Sequence, residues 1–132
     1  MTIENLTTDN KTIIQQALAD LLTSGSTEGL EPLLSKDFVH HRPDRTSTRS
    51  EWLTSIQAAL VPLADQQVEV LHLLADEDHV VVHTRRRLPD GGPEIVVVDI
   101  LRFAAGLVVE AWETIEPMAE AASHLTWWQL VR

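Results

Sequence analysis

Residues Glu94 to Pro117 read EIVVVDILRF, AAG, LVVEAWETIEP, and they commit the second half of the chain to paired strands. Two β-branched runs flank a small turn at Ala104–Gly106, the pattern of an antiparallel hairpin. One carboxylate, Asp99, interrupts the first run, with Val96, Val97 and Val98 before it and Ile100 and Leu101 after it. An isolated charge there costs on the order of several kcal/mol unless it is paired or takes up a proton. The position predicts an acid or base in the wall of a pocket. The competing reading is a structural carboxylate paired with Arg102, Arg85 or a histidine.

At 132 residues the chain fits one domain, residues 1–132, large enough to bury a core without a staple. It has no cysteine, which excludes disulfides, thiolate metal sites and cysteine nucleophiles. Twenty acidic residues against ten basic give a formal net charge of -10. That balance argues against nucleic acid as a partner, and equally against an anionic membrane. The local run Arg85-Arg86-Arg87 lies on a strand, where alternation splits it between two faces. The N-terminus has no basic, then apolar, signal segment, and no stretch approaches the ~20 apolar residues of a membrane span. A cytoplasmic protein is expected.

Along the chain, residues 1–8 read as a flexible lead. From Asp9, Ile13, Ile14, Ala17, Leu18, Leu21 and Leu22 form the stripe of an amphipathic helix, stopped by Ser24-Gly25-Ser26. A short second helix is expected over about Thr27 to Leu34, capped by Ser26 and with Leu30, Leu33 and Leu34 facing inward, although Pro32 counts against it. Asp37–Pro43, DFVHHRP, reads as a short extended segment, and Thr46–Ser50 as loop. Thr48 and Glu51 have the form of a capping box for a third helix carrying Trp52, Leu53, Ile56, Ala59 and Leu60 on one face, ended by Pro62.

From Gln66 the period is two. Gln66–Ala75, His79–Leu88, Glu94–Phe103 and Leu107–Glu116 read as four strands joined by short turns, hence a sequential antiparallel meander. The tail, from Met118, carries Leu125, Trp127, Trp128, Leu130 and Val131, apolar surface that needs something to cover. Helices followed by strands make an α+β domain, with the N-terminal helices laid across one face of a curved antiparallel sheet and a cavity between them.

Three stretches carry a family resemblance: FVHHRP (Phe38 to Pro43), VVVDILRF (Val96 to Phe103) and GLVVEAWETIEP (Gly106 to Pro117). Together with the order of the elements over roughly residues 9 to 118, they resemble the SnoaL-like polyketide cyclase group of the nuclear transport factor 2-like superfamily. The resemblance implies a cone-shaped fold and, at Asp99, the cavity acid that some cyclases use in ring closure and that steroid isomerases keep protonated. It implies that His41 rather than His40 faces the cavity, and that the chain forms a homodimer through its sheet. The chain departs from the pattern in four places. It has no tyrosine, Arg42 stands where the isomerase carries its base, Leu107 replaces the usual lysine, and Glu113 replaces the usual aspartate.

The expected catalytic set is Asp99, His41 and His83, and the expected substrate wall is His40, Arg85, Leu101, Phe103, Ala111, Glu113 and Trp52, although Trp52 also reads as core of its helix. His83 depends on the PDGGP turn: a five-residue loop pairs Leu88 with Glu94 and sets His83 opposite Asp99, whereas a two-residue turn puts them on opposite faces. The AAG turn sets a second alternative. Three residues place Asp99 opposite Ala111 and on a face with Glu113, Leu101, Phe103, Val109 and Ile115; two residues make Trp112 its neighbour. A metal at His41, His83 and Asp99 is conceivable by ligand type, but no close-spaced ligand motif supports one, and no cofactor is expected. The function expected is a pocket protein acting by acid/base catalysis (cyclisation or isomerisation) on a small apolar cyclic or polyketide-like molecule. The alternatives are a ligand-binding module without catalysis and an assembly module.

Overall fold

The amphipathic stretch at the start of the chain forms α1 (Ile3–Ser24) in the computed structural model, which describes residues 3–119 and their side chains from residue 10. The helix starts well before Asp9, so the segment expected as a flexible lead is helical from Ile3. Ile14 and Ala17 bury the inner stripe. Gly25 ends the helix at φ +65, its N–H donating to the Leu21 carbonyl at 3.2 Å.

No α-helix forms over Thr27 to Leu34. Leu30 and Glu31 donate to the Thr27 carbonyl in a turn, and Glu31–Leu33 make one 3-10 turn. Pro32 cannot donate a backbone hydrogen bond, and Leu34 is already extended at φ -93, ψ 137. The chain runs straight into β1 (Leu34–Arg42), which is longer than DFVHHRP alone suggests. The segment expected as loop after Pro43 is instead mostly a short edge strand, β2 (Arg45–Thr48), paired antiparallel with β1 from Arg42↔Arg45 to Val39↔Thr48. Thr48 then caps α2 (Arg49–Leu60). Its hydroxyl accepts from the Glu51 N–H at 3.3 Å while the Glu51 carboxylate accepts from the Thr48 N–H at 2.9 Å, the reciprocal box expected from the sequence.

The meander forms as β3 (Gln67–Asp76), β4 (His79–Arg87), β5 (Glu94–Ala104) and β6 (Leu107–Pro117). The sheet is nonetheless mixed, with six strands in the order β2-β1-β6-β5-β4-β3, because β1 adds parallel to β6. A parallel neighbour needs a long crossover and leaves no local turn signal in the sequence. α1 packs on β3 and β4, and α2 on β1 and β2, so both helices cover the same face. The core between them is Ile14, Leu34, Phe38, Leu53, Val80, Val82, Phe103, Val108 and Ala111. This is the α+β, cone-shaped nuclear transport factor 2-like arrangement. Among the described residues no helix is long and apolar enough to cross a membrane. The docking expected of the apolar tail falls on residues 120–132, outside the described residues.

Neither turn alone sets the register. The β5–β6 turn has two residues, Ala105 at φ 52 and Gly106 at φ 82, and Ala104 pairs with Leu107. A bulge then adds Val109 to β6, so that Phe103 pairs with Val108 but Arg102 with Glu110, and Asp99 comes directly opposite Glu113. The expected inner face is recovered by other means, with Val108 on it instead of Val109, but Asp99 stands opposite Glu113 and not opposite Ala111, which pairs with Leu101. Across the PDGGP turn Arg87 pairs with Glu94, so Val82, not His83, stands opposite Asp99.

Candidate active site

Asp99 faces the helices. Its strand neighbours on that face are Val97 and Leu101, its partner on β4 is Val82, and its partner on β6 is Glu113. Val97 and Val82 are buried core residues. A carboxyl group so placed loses water without gaining a full charge partner. Burial, and then the negative charge of Glu113, push the Asp99 carboxyl up to about 8; the Arg86 guanidinium pulls the other way, and a hydrogen bond with Glu113 holds the proton in place. Asp99 therefore holds its proton at pH 7, directly across the strand pair from Glu113. About 24 % of its side-chain surface stays uncovered.

Arg86 is the third member. Its Nη2 stands 3.6 Å from Asp99 Oδ2, too far for a hydrogen bond, while its Nε donates to the buried Thr84 hydroxyl at 3.0 Å. That bond pins the guanidinium beside the acid without pairing it off. The arginines expected as structural partners are engaged elsewhere: Arg102 with Glu110 at 3.0 Å and Arg85 with Glu94 at 2.9 Å. Arg85 and Arg87 clamp Glu94 from the outer face, and Arg86 alone of the run turns inward, as alternation requires. Arg86 and Thr84 were missed as site residues. The alternation of the arginine run was visible in the sequence, but the face each member takes depends on the register of β4.

The two adjacent histidines of β1 divide between faces in the reverse of the expected sense. His40 pairs with Ala111 on the helix side and is 3 % exposed; His41 pairs with Trp112 on the outer side. There His41 stacks on Trp112 at 5.5 Å and bonds Glu110 at 2.6 Å. His40 stacks on Trp52 at 4.9 Å, beside Phe38, and its Nε2 has no hydrogen-bond partner among the described residues. Burial, then Arg42 and His41, lower its pKa to about 4, so the ring is neutral. His83 and Arg85 also lie on the outer face, so no dyad of His83 with Asp99 forms and Arg85 does not line the wall. His41, His83 and Asp99 do not converge. Phe103 and Ala111 are core on the Asp99 face, with Leu101 and Trp52 packed against it.

An apolar cleft of about 210 Å³ lies between α1 and β3, lined by residues that include Ile14, Leu18, Leu22, Val70 and Val82. Asp99 is not among its lining residues, but Val82, its cross-strand partner, is.

The carboxyl pair makes a direct prediction. Glu113→Gln removes a neighbouring charge that raises the Asp99 pKa, so Asp99 should titrate at lower pH, followed by carboxyl carbon NMR. Arg86→Met removes the one opposing charge and should move it further up. A parent Asp99 that titrates in the ordinary carboxylate range would show that the pair does not share a proton.

Solved structures place the fold among known proteins. AclR, a proposed hydroxylase from Streptomyces galilaeus, is 24% identical, with a TM-score of 0.74 over 91% of this chain and 97% of its own. A proposed ketosteroid isomerase from Kribbella flavida DSM 17836 is 24% identical, at TM-score 0.69 over 94% of this chain and 91% of its own. Wild-type IdmH, a proposed polyketide cyclase from Streptomyces antibioticus, is 20% identical, at TM-score 0.66 over 80% and 91%. At these identities the likeness is one of fold. No curated protein matches the chain. The family model for the SnoaL-like domain matches residues 15–111, well over half of the sequence and a span that includes Asp99, Arg86 and the strands that carry them: the chain belongs to the SnoaL-like family.

Proposed function

We propose that the protein takes a small, largely apolar cyclic or polyketide-like molecule against the helix-facing side of its sheet and moves a proton on it without a cofactor. The observation that carries this reading is the carboxyl pair: a protonated, partly open Asp99 directly opposite Glu113, with Val82 across the other strand and the Arg86 guanidinium 3.6 Å away. A buried acid that keeps its proton at neutral pH can pass it to a carbonyl oxygen as negative charge develops there. Glu113 takes the hydrogen released from the α-carbon and passes a proton back to Asp99, which restores the starting pair, while Arg86 stabilises the pair's negative charge in between. The apolar cleft beside Val82 would hold the body of the molecule. Isomerase and cyclase descriptions among the solved relatives agree with this chemical class.

The test uses 2-tetralone, a bicyclic ketone with acidic α-hydrogens, in D2O. The protein should accelerate α-carbon deuterium exchange read by proton NMR, and Asp99→Asn should lower that acceleration by about 10²–10⁴-fold. Saturable binding of 2-tetralone without exchange would instead favour a binding module. Exchange undiminished in Asp99→Asn would remove Asp99 from the mechanism.

A further inference from the structure

The outer face of the sheet carries a second arrangement, remote from Asp99. β3 pairs with β4 in a register that matches Val70 with Thr84 and, carried on unchanged, would set Leu71 opposite His83. A bulge between Val70 and His72 adds one residue to β3 and brings His72 opposite His83 instead. The cost is visible: Leu71 is left 39 % exposed on an edge strand. Bulges re-aim side chains, and this one brings two imidazoles edge to edge. Their Nδ1 atoms are 3.0 Å apart, their ring planes differ by 4° and their centroids lie 5.2 Å apart. One Nδ1–H donates to the other ring's bare Nδ1, which requires at least one neutral ring.

We infer that His72 and His83 form a two-point chelate for a borderline divalent transition-metal ion of the Ni2+ or Cu2+ type. Two metal–imidazole bonds of about 2.1 Å meeting at a right angle span about 3.0 Å, whereas a tetrahedral angle needs about 3.4 Å. The nitrogens stand 3.0 Å apart with centroids at 5.2 Å, so the rings point at one another and each turns about its Cβ–Cγ bond to bring both lone pairs onto one ion; the preference for Ni2+ or Cu2+ over Zn2+ follows from the general affinity order. The protons balance between neutral rings. The Nδ1–H proton of the donor ring moves to its own Nε2 through solvent, both Nδ1 lone pairs then face the metal, and no proton is released. Water completes the coordination, because among the described residues no third His, Asp or Glu joins the pair. Arg85, two residues along β4, is held by Glu94 at 2.9 Å and does not confront the dication as a free charge. Other described histidines are less available: His41 is bonded to Glu110, His79 to Asp78, and His40 is buried.

The test is calorimetric titration of the full chain with NiCl2 at pH 7.5, with the site located by paramagnetic broadening in amide NMR spectra. One ion per chain is expected, weaker binding of ZnCl2, and broadening centred on His72 and His83. His72→Asn and His83→Asn should each weaken Ni2+ by about tenfold or more, and His79→Asn should leave it unchanged. Both pair residues are at the outer surface, and a urea midpoint for each variant confirms the fold. Affinity unchanged in either pair variant, equal weakening in His79→Asn, or broadening centred elsewhere in the chain would overturn the assignment. None of these readouts involves Asp99 or turnover.

Discussion

At pH 9 the Asp99→Asn variant should unfold at higher urea concentration than the parent, with an advantage about 4 kcal/mol larger than the one it shows at pH 5. The sign follows from where the proton sits. In the unfolded chain Asp99 titrates at its ordinary 3.8; in the folded protein burial and Glu113 raise it to about 8. Between those values the folded state holds a proton that the unfolded state has released, so stability declines as pH rises through the window and the full cost is in place above it. Asparagine is neutral at every pH, so it never incurs that cost. The difference between the two proteins also cancels other titrations. Glu110, held low by His41 and Arg102, and Glu94, held low by Arg85 and Arg87, act equally in both and matter on the acid side. A difference that stays constant from pH 5 to pH 9 would mean that Asp99 is already ionised in the folded protein. Paired with loss of deuterium exchange in the same variant, a gain in stability separates a functional acid from a structural one, since a structural carboxylate would lose stability when replaced.

The second large effect is mechanical. Phe38→Ala should destabilise the protein by about 3–5 kcal/mol, measured by urea denaturation, a large share of the ~5–15 kcal/mol that holds a domain of this size. Phe38 is 2 % exposed and lies in the core formed by β1, β5, β6 and both helices. Its ring meets Trp52 of α2 at 5.1 Å and His40 at 6.4 Å. Removing it leaves a cavity under α2 that the flanking Trp52 cannot close without giving up its stack on His40. A loss under about 1 kcal/mol would mean that α2 settles onto the sheet without this anchor.

The inner-face position of Asp99 was legible because a carboxylate inside a β-branched run has few affordable places to go. Its neighbours were not. Alternation sorted Arg85, Arg86 and Arg87 onto two faces and correctly separated His40 from His41, yet it could not say which face was which, and for the histidine pair the inner member is His40. His83 was attached to the wrong face for a related reason: Arg87, not Leu88, pairs with Glu94, and one residue of slip moves every side chain across the sheet. The expected loop after Pro43 became mostly β2 because pairing with β1 satisfies backbone groups that the local residues do not advertise.

What the sequence by itself determined is periodicity: the stripe of α1, the capping box of α2, the four alternating strands from Gln67 to Pro117 and the acid lodged in one of them. The tertiary structure alone decided the insertion of β1 beside β6 and the two bulges, at Leu71 and Val109, that bring His72 to His83 and Asp99 to Glu113. The physical reason is one of range. Hydrophobic period records which residues of a strand share a face, whereas register is set by the fit of whole strands twisting against their neighbours, and one extra residue taken up in that fit changes every partner beyond it.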